Sequence, residues 1–505
     1  MTAVAPLGHA WKLGDLLAGL VASRAVEGRL AECQVSGLAL DGCAVSPGDL
    51  LVDLEGRVAP NAVKAAEAQR LGAVAVLADP AQAWSLGDLA GPRERIGLPV
   101  IQVPGLSHHL ATLADRFFGW PSRQLEVFGI SGSLGKTTLS HLVSRALESE
   151  LTCGVIDGAD GLDVLAVRQR LNALHARGAR AVAMALSPGR LARSDAASLR
   201  LSHLMLTHLD ADASPAAAAQ GIACRLATSP SPDWVVVNLD DPAQRDLLEA
   251  LPAAICVAGY TLLSGASRPA RCDLWLAAEH VDATPRGLRV RVRSLGEATA
   301  QAAELEVALI GEFNVANMLA LLALKCSRGL PLERAARELA LVRGVPGRME
   351  CFGGEGAPMI VVDSASTPME LERALSSLRR HGFRRLMTVF GCDGRMPVAE
   401  RPVAGRVVER LSDQVILTDD NPRDAGGERI VADILSGLTW PDKAIVERQR
   451  GLAIRIAVAR AGVGDAILVA GKGGEKVQDM GELKVHFSDR AQVVEALREW
   501  REGHH

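Results

Sequence analysis

Lys136 stands in "VFGISGSLGKTTL" (residues 127–139), where glycines at 129, 132 and 135 precede the lysine and the pair Thr137 and Thr138. An apolar run that delivers a glycine-bearing loop into the start of a helix is a place to hold phosphate. The glycines Gly132 and Gly135 let backbone N–H groups close around an anion, and the helix dipole favours negative charge there. Lys136 would neutralise β- and γ-phosphate oxygens, and the Thr137 hydroxyl is placed to bind Mg²⁺. The generic loop has its glycines five residues apart, whereas the residue five before Gly135 is Ile130. The competing reading is an ordinary glycine-rich turn with a solvated lysine; the order strand, loop, helix favours phosphate.

Around this loop lies a chain of 505 residues, 48% of them hydrophobic, long enough for three or four domains with their own cores. Acids outnumber bases by 59 to 55, so no basic excess points to nucleic acid. No leader-like segment and no 18-residue apolar run occurs, and the expectation is a cytoplasmic protein with no membrane span. Nine scattered cysteines without C-x-x-C spacing indicate neither disulfides nor zinc. They read as small core residues, Cys224 among them as a buried helix position. The terminal "EGHH" reads as a tag remnant, so His504 and His505 are set aside as ligands.

The loop needs a sheet behind it. "RAVAMAL" (180–186), "HLMLTHL" (203–209) and "WVVVNLD" (234–240) are short apolar runs suited to a buried parallel sheet. Upstream, residues 36–79 read as strands around a Pro-Gly turn and an Ala-rich helix ending at Gly72. Residues 272–310 alternate with period two as an antiparallel insertion, and "GEFNVANMLALLALKCSRG" follows as a helix. Beyond "RGVPGRME" (343–350), the stretches "MIVVDSAS", "RLMTVFGCDG", "DQVILTDDNPR" and "DAILVAGKGGE" are four strand-then-loop units of a doubly wound sheet. The "GWPSR" and "VPGRME" linkers divide the chain into 1–122, 123–345 and 346–505. The basic run "RRHGFRR" (379–385) reads as a solvated helix end. His203 and His208 read as structural, and Trp11 and Trp120 as packing residues.

These motifs in this order, with "GEFNVANMLA", "VPGRME", "VVDSASTP", "TDDNPR" and "AGKGGE", resemble the Mur ligase family, and within it the branch that adds diaminopimelate or lysine to UDP-MurNAc-L-Ala-D-Glu. The resemblance implies an α/β fold of three domains: an N-terminal uridine-nucleotide domain, a central P-loop ATPase and a Rossmann-like C-terminal domain. It implies ATP and Mg²⁺ as cofactors, an acyl phosphate intermediate, UDP-MurNAc-peptide and a diamino acid as partners, and a monomer. By resemblance, Asn314 and Asn317 lie near adenine, Arg348 belongs to the hinge and, with Gly132, Gly135, Lys136, Thr137 and Thr138, to nucleotide binding, Asp363 matches a family position, Lys136 and Arg401 are catalytic, and Asp420, Asn421, Pro422, Arg423 and Glu475 recognise the incoming amino acid. An Arg and a Glu suit a zwitterionic head group.

The sequence also departs from the family pattern. "ALSPG" puts Ala185 where a metal-binding Glu is expected and Gly189 where a His is expected, and Cys224 aligns with the carbamylated Lys. "DSASTP" places Ser366 for a His, "GRMPVAERP" places Glu400 for a Lys, and "LDGC" keeps only Asp41 of a uridine-contacting stretch. Ala and Gly cannot ligate Mg²⁺; Asp210 and Asp212 are candidate substitutes, though more in keeping with solvated loop acids. The reading favoured by these losses is a nucleotide-binding homologue with impaired or absent ligase activity, acting as a partner or regulator of another cell-wall protein. The alternative is an active ATP-dependent acid–amino acid ligase, and a plain nucleotide hydrolase is a weaker third.

Overall fold

The computed structural model describes residues 10–22, 25–54, 67–80, 98–133, 135–192, 198–209, 215–228, 232–295 and 300–503. The candidate ligands Asp210 and Asp212, most of the Ala-rich helix before Gly72, and His504 and His505 lie outside them. The chain divides into two compact units, one holding residues 1–237 and 241–257 and the other 238–240 and 258–505.

The first unit opens with a parallel sheet of β1 (Gly37–Ala39), β2 (Asp49–Asp53), β3 (Ala75–Ala78) and β4 (Val100–Gln102), in that spatial order. Helix α1 (Leu106–Phe117) packs on it through Leu106, Leu110 and Leu113, whose spacing keeps them on one helical face. Trp120 then turns the chain at φ 57, with Arg123 stacked on its ring at 4.0 Å. Trp11 packs at the edge and donates its indole N–H to the Phe117 carbonyl at 3.1 Å.

The second sheet of this unit begins with β5 (Glu126–Ser131), followed by α2 (Lys136–Leu147), β6 (Cys153–Ile156), α3 (Val164–Ala176), β7 (Ala181–Leu186), β8 (His203–Leu206), α4 (Pro215–Thr228) and β9 (Trp234–Asn238). The strands are parallel in the order β6-β7-β5-β8-β9. All six residues of β7 are buried, which is why the sequence there is a continuous apolar run with no alternation. One buried ion pair joins α1 to α3: Arg168 donates from Nε to Asp115 Oδ1 at 3.1 Å, both side chains being fully buried.

In the second unit β10 (Cys256–Thr261), which straddles the division, pairs in parallel with β11 (Leu274–Thr284). β11, β12 (Gly287–Leu295) and β13 (Ala300–Val307) then form the expected antiparallel insertion, and α5 (Phe313–Ser327) follows. The last sheet has the order β14-β15-β19-β16-β17-β18, comprising β14 (Glu350–Gly353), β15 (Met359–Asp363), β16 (Leu386–Phe390), β17 (Gln414–Leu417), β18 (Ile445–Val446) and β19 (Ala466–Ala470). Only β14 is antiparallel. In β15, Met359 and Val361 join one core while Ile360 and Val362 join the core on the opposite face, so the sheet is covered on both sides by helices. The covering helices are α6 (Pro368–Arg379), α7 (Arg401–Leu411), α8 (Gly427–Leu435), α9 (Arg450–Arg460) and α10 (Asp489–Gly503).

Two expectations need correction here. Cys224 is exposed, because Ile222, Arg225 and Leu226 take the inward face of α4. The 379–385 run is no simple solvated cap: Arg384 and Arg385 both bind the buried Asp465, and Arg379 binds Asp413 at 2.9 Å. Within it His381 is fully buried, accepting the Gly311 N–H at Nε2 (2.9 Å) while Nδ1 lies 2.7 Å from the Thr284 carbonyl. Burial holds its pKa below the usual histidine value.

Candidate functional site

At the carboxyl end of β5 the chain turns through Gly132 and Gly135 into α2, with Gly135 at the N-cap and Lys136 as the first helical residue. A side chain at Gly132 is impossible: its φ is 144°, and a Cβ would sit 2.1 Å from Thr207 Oγ1 at the end of β8. The Ser133 N–H is held by the His208 carbonyl at 2.6 Å. Lys136 folds back over the loop, its ammonium 2.7 Å from the Gly132 carbonyl and 3.2 Å from that of Ser133. Loop, lysine and helix start therefore fit a phosphate chain. Further along α2, His141 reaches Asp157 at 2.6 Å and Ser140 donates to the same carboxylate at 2.9 Å, tying the loop after β6 to this helix. No motif in the sequence announced that triple. His203 is buried against the Phe128 ring, whereas His208 is exposed.

The positions expected to hold a second metal ion do not fit one. Ala185 is buried in β7, paired with Ile130 beside the phosphate loop, and presents a methyl group. A Cβ at Gly189 would meet nothing within 4 Å. Among the described residues no group of three or more His, Cys, Asp or Glu side chains could hold a metal ion. Thr137, the residue after Lys136 at the start of α2, stands at the loop.

In the second unit, strand carboxyl ends bring the other predicted residues together. Asp420 and Asn421 follow β17, and Lys472 and Glu475 follow β19. Asn421 donates its amide to Glu475 Oε2 at 3.0 Å and accepts from Lys472 at 2.9 Å, while Lys472 also reaches Glu475 at 2.9 Å. Lys472 is buried at the base of this cluster; it lay unremarked inside "AGKGGE". Pro422 precedes Arg423, which adopts φ 48°. Arg423 binds both oxygens of Asp393 from Nε (3.0 and 3.2 Å) and Asp393 Oδ2 from Nη2 (3.1 Å). Its Nη1 binds Asp479 at 2.7 Å. Although burial pushes the Asp393 carboxyl up, the Arg423 guanidinium and its other donors hold it below the usual range. Asp420 is buried with Oδ1 unpartnered, and burial pushes its pKa up to about 6.

Arg401, expected to be catalytic, is buried at the start of α7, where it binds Asp433 at 2.8 Å and the Gly394 carbonyl at 3.1 Å. That contact makes it the support of the turn carrying Asp393. Arg348 binds Ser364, and Asp363 accepts the N–H groups of Met349 (2.7 Å) and Ala365 (2.8 Å). Gly347, at φ 69°, presses so closely on the other loop that a Cβ would sit 2.0 Å from the Gly474 nitrogen. Asn314 is buried on α5, donating to the Ile310 carbonyl at 2.8 Å and accepting from Asn317 at 2.9 Å.

Comparison with known proteins agrees with this arrangement. Residues 130–325 match the Mur ligase middle domain, and residues 347–473 match the Mur ligase, glutamate ligase domain. A UDP-N-acetylmuramoyl-L-alanyl-D-glutamate–2,6-diaminopimelate ligase of Alkalilimnicola ehrlichii is 38% identical over 491 residues, covering 92% of this chain and 95% of its own. The protein of the same name from Pseudomonas aeruginosa is 35% identical, covering 92% and 96%. A solved structure of a ligase so named superposes with a TM-score of 0.69 at 23% identity, over 98% of this chain and all of that one. A MurF ligase from Thermotoga maritima in complex with ADP superposes at 0.54 and 17% identity, over 93% and 98%. The fold is the three-domain α/β architecture of these enzymes. By full-length similarity to its relatives, the chain belongs to the Mur ligase family.

Proposed function

We propose that the protein is an ATP-dependent acid–amino acid ligase of peptidoglycan precursor synthesis, adding a diamino acid to a UDP-MurNAc-peptide in the cytoplasm. The observation that carries this reading is the Asn421, Lys472 and Glu475 cluster, in which the buried Lys472 and the Asn421 amide hold a half-exposed Glu475 carboxylate for an ammonium group at the strand ends where ligands bind in such sheets. The full-length relatives, named as ligases, support it. Domain boundaries near residues 122 and 346 belong to the same proposal.

In this mechanism the loop amides and Lys136 hold the β- and γ-phosphates of ATP, and Mg²⁺ on Thr137 adds neutralising charge when bound. The substrate carboxylate takes the γ-phosphoryl group to give an acyl phosphate, and the incoming amine displaces phosphate to form the amide. Glu475 and Asn421 orient that amine, and Asn314 with Asn317 border the adenine. Arg348 belongs to the hinge. A second reading, a nucleotide-binding partner of another cell-wall protein with impaired ligase activity, draws on Ala185 and the exposed Cys224 at metal-ligand positions.

The deciding experiment measures ADP release with ATP, Mg²⁺, UDP-MurNAc-L-Ala-D-Glu and a diamino acid. Release that requires both carboxylate and amine substrates is expected. ATP binding without release would overturn the ligase reading in favour of the second, and release needing neither substrate would indicate a hydrolase.

A further inference from the structure

The turn that opens α5 is held from the far side of the 343–350 linker by one imidazole. The Thr284 carbonyl can only accept and the Gly311 N–H can only donate. The His381 ring between them must therefore carry its proton on Nδ1 and leave Nε2 bare. Burial, which disfavours a charged ring, keeps it in that neutral form. Two neighbours at the end of α6 hold the same turn: the Glu312 N–H donates to Ser377 Oγ at 3.3 Å, and Arg380 pairs with the Glu312 carboxylate.

The Gly311 N–H and the Ile310 carbonyl are the two ends of one peptide group. Its N–H goes to His381 at 2.9 Å, and its carbonyl takes an amide hydrogen of Asn314 at 2.8 Å. With Nδ2 so committed, Asn314 presents Oδ1 to Asn317, which donates from Nδ2 at 2.9 Å. Half-buried Asn317 is left with Oδ1 as an acceptor and one amide hydrogen as a donor. That combination matches the N6 amino group and N7 of adenine, whereas guanine presents two acceptors, O6 and N7. Which base is accepted thus depends on which way round the Asn317 amide is held. We propose that His381 is a positioning residue for base selection: through the 310–311 peptide and Asn314 it fixes the Asn317 amide in the sense that takes adenine and rejects guanine. The inference rests on the reading of α5 as the base site of the ligase.

The test uses the full chain with Mg²⁺ and compares calorimetric affinities for ATP, GTP and inorganic tripolyphosphate in wild type, His381→Leu and His381→Gln. Wild type should prefer ATP to GTP by about tenfold or more. His381→Leu, with neither donor nor acceptor, should lose about tenfold of that ratio, while tripolyphosphate affinity moves by less than about threefold. His381→Gln, whose amide can accept at Oε1 and donate from Nε2, should keep the ratio. A folded His381→Leu that retains the wild-type ratio overturns the proposal, as does its loss in a folded His381→Gln. Should the leucine variant not fold, nitrogen NMR of the imidazole in wild type decides: a neutral ring protonated at Nδ1 sustains the relay, and a proton on Nε2 overturns it. If wild type binds ATP and GTP alike, or neither, the base-site reading itself fails and this inference falls with it.

Discussion

Gly132 and Thr207 stand so close that no β-carbon fits between them, and the Lys136 ammonium rests on the Gly132 carbonyl 2.7 Å away. The lysine is thus held over the loop where phosphate oxygens would lie. Lys136→Ala removes the charge without disturbing the helix, since alanine is the best helix former. Nucleotide affinity measured by calorimetry with Mg²⁺ should fall by about 10²-fold or more, with the melting temperature of the free protein unchanged. Retained affinity would show that the loop is an ordinary turn.

Arg168 and Asp115 form a fully buried pair between α1 and α3. Removing one partner leaves a buried charge uncompensated, a loss of about 3–5 kcal/mol. Arg168→Met should therefore lower the urea midpoint by that equivalent, while Arg168→Met with Asp115→Leu should recover much of it. Equal loss in the single and double variants would argue against a paired role.

Asp420 carries its proton to about pH 6 because burial disfavours the charged carboxylate. An unfolded aspartate titrates near about 3.9, so folding takes up a proton between about pH 4 and pH 6. Stability from this group is full below that window and declines as pH rises through it. Asp420→Asn should thus gain on the order of 1–3 kcal/mol relative to wild type at pH 7 and little at pH 4, read from urea unfolding at the two pH values. A gain independent of pH would rule out the carboxylate's titration as the cause.

Much of the second unit was legible in the sequence, because its parallel strands are continuous apolar runs and its ligand-facing loops follow them directly. "DNPR" and "AGKGGE" accordingly arrive side by side, as Asn421 and Glu475 do. What the sequence did not disclose is charge pairing across distance. Asp393 and Arg423 are 30 positions apart and Arg423 and Asp479 are 56 apart, and no local periodicity encodes such partners. The same holds for His381, read as part of a basic helix end, which is buried because Gly311 and Thr284 approach it from 70 and 97 positions away. Cys224 was misread since its neighbours Ile222 and Leu226 are apolar, and only the helix phase decides which of them faces inward.

Gly347→Ala should be among the most damaging small substitutions. It requires a positive φ and places a methyl group 2.0 Å from the Gly474 nitrogen. A loss of more than about 2 kcal/mol is expected, measured by thermal unfolding; Gly356→Ala, also at positive φ but with open space around it, should cost less.

That same touching of Gly347 and Gly474 makes the linker after residue 343 and the loop ending in Glu475 a single mechanical piece. With no side chain to cushion them, neither strip of backbone can shift without pushing the other, so the turn before Arg348 and the turn before Glu475 must keep one spacing, and a change of backbone at either is a change at both.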